Sequence, residues 1–79
     1  MEPKEQEAAL DVVDRKIERL RTSYEQYFPG MERVVPADLR KDVDRSLRTL
    51  RTEHLRNTAT KFRFQMLVQR YVTYSTYWD

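Results

Sequence analysis

Few side chains in this sequence could do chemistry, and their spacing keeps them apart. His54 is the only histidine and there is no cysteine, so a thiolate or imidazole metal site lacks ligands and a disulfide is excluded. A lone histidine beside an apolar seam reads as a boundary residue before a pH switch or a ligand. Carboxylates come in close pairs: Glu5 with Glu7, Asp11 with Asp14, Asp42 with Asp44. General acid–base work needs two carboxyls converging on one pocket; the pairs two apart face different ways on a helix, and a two-helix seam offers no pocket to any of the three. Ser23, Ser46 and Ser75 have no base in reach, and one glycine, Gly30, cannot build a phosphate loop. The pattern argues against an enzyme, and no cofactor or metal is expected.

Two other patterns suit recognition. Arg56, Arg63 and Arg70 recur every seven residues. Each stands one position before a residue of the seam Val43, Leu50, Asn57, Phe64, Tyr71, Trp78. Arginines flanking an apolar seam pair with acids across a helix interface and set its orientation. Asn57 within the seam is expected to act as a register-setting polar layer. Six of the nine aromatics lie between Phe62 and Trp78. Phe64, Leu67, Tyr71, Tyr74 and Trp78 occupy the a and d positions there and are the expected partner-binding face, with the three arginines beside them.

The elements that position these residues are helical. Leu10, Val13, Ile17, Leu20, Tyr24 and Tyr27 alternate spacings of three and four, predicting a helix over about 4–28 that stops at Phe28-Pro29-Gly30. Residues 29–36 form a loop, with Met31, Val34 and Val35 expected to fold against the helix ends. Pro36-Ala37-Asp38 opens a second helix with the stripe Leu39, Val43, Leu47, Leu50. The unbroken seven-residue phase, the lack of glycine after Gly30, and cations at Lys61 and Arg63 favour one helix over about 37–78. The fold expected is all-α: an antiparallel, coiled-coil-like hairpin with a long second helix, self-associating. The alternative is a compact three-helix bundle broken at 55–60, with a turn near Asn57 and Thr58 or Thr60 as cap.

Length decides what the hairpin leaves bare. At 1.5 Å per residue the first helix spans about 36 Å and a continuous second one about 63 Å. The aromatic half would then lie beyond its neighbour and need a second copy or another protein. If the chain turns near Asn57, the same residues fold back and the core becomes internal.

The 79 residues suffice for one small domain, and 39% hydrophobic against 35% charged residues leaves a narrow apolar stripe. A homodimer or other homo-oligomer is therefore expected, with a heterologous protein partner also open. No apolar run is long enough to cross a membrane and the start lacks a signal-peptide pattern, so a cytoplasmic protein is the default. Residues 1–44 carry net charge −3 and residues 45–79 net +5. The positive half keeps nucleic acid as the alternative partner, read from Arg56, Arg63 and Arg70 with Arg45, Arg48, Arg51 and Lys61. The pattern runs up to Trp78-Asp79 with no stop signal, so the native helix is expected to continue past Asp79.

The strings Tyr27-Phe-Pro-Gly-Met-Glu-Arg33 and Phe62-Arg-Phe64, followed by Arg70-Tyr71 and Tyr77-Trp78, resemble an uncharacterised helical accessory domain of myxobacteria and related deltaproteobacteria. The resemblance covers nearly the whole chain and implies a bacterial interaction module appended to regulatory proteins. It transfers no catalytic or ligand residue.

Overall fold

A computed structural model describes residues 2–30 and 34–79. Three helices follow in order: α1 Pro3–Tyr27, α2 Ala37–Thr52 and α3 Thr58–Trp78, of 25, 16 and 21 residues. They pack against one another, and no strand occurs among the described residues. α1 begins with Pro3 in its first turn, where the missing N–H has no intrahelical partner to lose. It ends where the Phe28 N–H reaches the Tyr24 carbonyl and Gly30 takes a φ of 86°, a left-handed turn that suits glycine.

The apolar stripe expected of α1 faces inward: Leu10, Val13, Ile17, Leu20 and Tyr24 are buried. Val43, Leu47 and Leu50 of α2 meet it, running the other way. Lys16 of α1 reaches Asp42 at 3.1 Å, and Gln6 Nε2 donates to the His54 carbonyl at 3.3 Å. Val34 and Val35 do not tuck against the helix ends; Val34 is 77% exposed. Met31 lies outside the described residues.

The continuous helix over 37–78 is not found. α2 stops at Thr52, Glu53 is extended with ψ of 143°, and α3 starts afresh after Asn57. The reversal needs no glycine, because it is made from extended residues and not from a left-handed one. Asn57 is not a seam residue but the N-cap of α3. Its Oδ1 accepts from the Ala59 and Thr60 N–H groups at 2.8 and 3.2 Å, satisfying two donors that a helix start leaves free. The seven-residue phase survives because each helix keeps its own inward stripe; such a period reports a face, not continuity. α3 then returns beside α1 in the same direction: Arg63 reaches Asp11, Arg70 reaches Asp14, and Trp78 stacks on Tyr24. Among the described residues α1 packs on both partners, whereas α2 and α3 hardly meet.

Candidate functional site

The aromatic half expected to stand bare is covered by α1. Leu67 and Tyr71 are core residues, 4% and 9% exposed, and Phe64, Tyr74 and Trp78 are half-buried against the same core. The length argument fails because no helix outruns α1. The Trp78 ring lies on Tyr24 with centroids 4.2 Å apart and planes 15° from parallel. Arg40 closes this end: Nη1 donates to the Tyr24 hydroxyl at 3.2 Å and Nη2 to Asp79 Oδ1 at 2.8 Å. Its Cζ lies 5.7 Å from the Trp78 ring centroid. Burial of the guanidinium disfavours its charge, but hydrogen bonds to Asp79 and to the Tyr24 and Tyr71 hydroxyls outweigh that and raise its pKa above the ordinary value.

The arginine series splits. Arg63 Nη2 lies 2.6 Å from Asp11 Oδ1, and Arg70 pairs with Asp14 and approaches Glu18 at 3.7 Å. Both arginines thus pair with acids across a helix interface, but within one chain, between α3 and α1. Arg56, in the connection after α2, is exposed. His54 is also exposed beside it, not at the seam. No group of acidic or histidine side chains among the described residues could hold a metal ion.

The surface left over is on the opposite side of α3. Phe62, Met66, Val72 and Tyr77 are 63, 56, 51 and 83% exposed. Between them stand Gln65, Gln69, Thr73 and Thr76, so from Phe62 to Trp78 no exposed residue carries a charge. The outer faces of the other helices are mainly charged: α1 shows Glu7, Asp11, Arg15 and Arg19 beside Val12, with Phe28 exposed at its end, and α2 shows Lys41, Arg45, Arg48 and Arg51. An amphipathic surface helix has one apolar face, whereas α3 also bears apolar side chains and no charge on its outer side from Phe62 to Trp78. Sequence reasoning missed this face because it assigned the aromatics at the a and d positions to the outside. The available signal was the absence of any charge but Arg63 and Arg70 between Lys61 and Asp79.

Among the depressions between the described residues, one of about 610 Å³ lies at the α2–α3 connection between Gln6, His54 and Asn57, and two others flank the helices. One of about 590 Å³ runs between α2 and α3 over Tyr71, with Val35, Arg40 and Lys41 on one wall and Val72 and Thr76 on the other. A smaller one of about 280 Å³ lies between α1 and α2, lined by Val12, Val13, Ser46 and Leu50. Neither gathers a nucleophile and a base. Among the described residues, no helix is long and apolar enough to cross a membrane. Compared with family models, with characterised proteins and with solved structures, the chain finds no match. The site therefore has to be read from its own chemistry.

Proposed function

We propose that the chain is a non-enzymatic, three-helix interaction module that joins proteins through the outward face of α3. The observation that carries this is the uncharged stripe of Phe62, Met66 and Tyr77 on a chain in which 35% of residues are charged. Exposed apolar side chains scattered singly are ordinary, but an aligned set cleared of charge on one helix has the composition of an interface core. In this reading Phe64, Leu67, Tyr71, Tyr74 and Trp78 build the platform, and Arg63 and Arg70 fix its angle on α1. A cytoplasmic regulatory or scaffold role of bacterial type fits the accessory domain that the motif resembles.

A photo-crosslinking residue at Met66, compared with one at Arg19 on the outer face of α1, tests the reading. Adducts to protein are expected at Met66 and not at Arg19, and their loss is expected when Phe62 and Tyr77 are both changed to Glu. No adduct at Met66, either in cells or with purified protein, would refute it.

A second reading, association with nucleic acid, keeps one observation in its favour. Lys41, Arg45, Arg48 and Arg51 share the outer face of α2 and are all exposed, although Arg48 is already paired with Asp44 at 2.7 Å. Arg63 and Arg70 no longer serve this reading, since their charge is spent on α1. Binding that falls steeply with salt and is lost when Arg45, Arg48 and Arg51 become Ala would favour it.

A further inference from the structure

We infer that the occupant of the α3 face is a second copy of this chain, laid antiparallel across it about a two-fold axis beside Gln69. The inference rests on the docking reading and adds the identity and register of the partner.

The stripe is matched end to end. Phe62 and Met66 stand as far before the midpoint between Gln69 and Arg70 as Tyr77 and Thr73 stand beyond it. At 3.6 residues per turn these four and Gln69 fall within about 80° of arc. A two-fold interface puts one patch against itself, so each residue must accept the partner that the symmetry assigns it. Antiparallel pairing sets Phe62 against Tyr77 of the other copy and Met66 against Thr73, a large side chain beside a large one and a medium beside a small. Gln69 stands next to the axis, set against Arg70 of the other copy and one position from its own equivalent; its amide, both donor and acceptor, can bond to either.

Charge points the same way. A charge close to a two-fold axis meets its like, and the stripe carries none. The arginine next to the axis, Arg70, would approach its copy on the α1 flank, but Asp14 and Glu18 of its own chain already neutralise it. Arg63 is likewise held by Asp11. A charged heterologous partner would find no counter-charge on this face, whereas an identical face asks for none.

The area sets the strength. At the exposures of Phe62, Met66 and Tyr77, their side chains offer roughly 400 Å² per copy, or roughly 1,000 Å² in total with the flanking Gln and Thr. That is the low end for a specific interface, so the dimer should be weak and dependent on concentration.

The chain has no cysteine, so Gln69→Cys places a single thiol next to the axis. Sedimentation across a micromolar-to-millimolar series should show the mass rising from one chain to two. Oxidation with diamide should give a covalent dimer from Gln69→Cys at least tenfold faster than from Arg19→Cys. Tyr77→Glu should weaken the dimer at least tenfold with unchanged helical content. Should that variant lose its helices, the Gln69→Cys rate alone decides. Single-chain mass at every concentration overturns the inference, as does a dimer that oxidises no faster at Gln69 than at Arg19, or a Met66 adduct only to a different protein. In the first and last cases a Met66-specific adduct leaves the docking reading standing; loss of all adducts sinks both.

Discussion

Asn57→Ala separates the two ways of reading residues 53–60 by the sign of its effect. The Asn57 side chain accepts from two backbone donors at the start of α3, and Thr60, which owns one of them, is only 7% exposed. Alanine leaves both donors without the acceptor, and Thr60 is poorly placed to find water instead. Loss of an Asn cap costs about 0.5–2 kcal/mol, and the partly buried position puts the expectation near 1 kcal/mol or above. For a domain of this length that lowers the melting midpoint by about 4–8 °C. Were residues 53–57 helical, the same substitution would stabilise by a few tenths of a kcal/mol, because alanine is the better helix former. Urea denaturation followed by far-UV circular dichroism measures the difference directly. Asn57→Asp keeps the acceptor and adds negative charge at the positive end of α3, so it should stay within about 0.5 kcal/mol of the parent. An Asn57→Ala chain as stable as its parent, with the same denaturant slope, would refute the capping argument.

The two faces of α3 should respond oppositely to truncation. Leu67→Ala should cost about 2–5 kcal/mol, while Phe62→Ala in dilute, monomeric protein should stay within about 0.5 kcal/mol, both by the same denaturation. Tyr71→Glu should abolish the cooperative melt instead of parting two folded copies, since it puts an unpaired carboxylate into the core; a folded monomer by circular dichroism and sedimentation would contradict this. Trp78→Ala should cost about 2–3 kcal/mol through loss of the Tyr24 stack and of the surface under Arg40. A double-mutant cycle on Asp14 and Arg70 should give a coupling of about 0.2–1 kcal/mol that shrinks with added salt, as befits a partly exposed pair.

The first half of the chain was legible because its signals agree. Leu10, Val13, Ile17, Leu20 and Tyr24 alternate at helical spacing, charges fill the other faces, and Phe28-Pro29-Gly30 ends the segment; all five apolar residues are buried. Val43, Leu47 and Leu50 were legible for the same reason. The 53–57 connection was not, because its stop carries no glycine and its cap, Asn57, falls where a seam residue is due. Misreading that one residue turned α3 inside out. Phe64, Leu67, Tyr71, Tyr74 and Trp78 were correctly seen as one face, but whether it meets α1 or solvent depends on a reversal that periodicity does not encode. Arg63 and Arg70 were read as flanking charges, which they are, with partners on α1. Phe62, Met66 and Tyr77 become conspicuous only after the inward stripe has been assigned.

Because α2 and α3 each lean on α1 and scarcely on one another, α1 acts as a shared spine. Neither of the outer helices can compensate for the other's departure, since each covers a different flank of Leu10, Ile17 and Leu20. Amide hydrogen exchange should therefore be slowest in the middle of α1, around Ile17 and Leu20, with the ends of α2 and α3 opening sooner. Among the described residues, what ties the two outer helices to each other is one side chain at one end, Arg40 of α2, through Asp79 and the Trp78 ring.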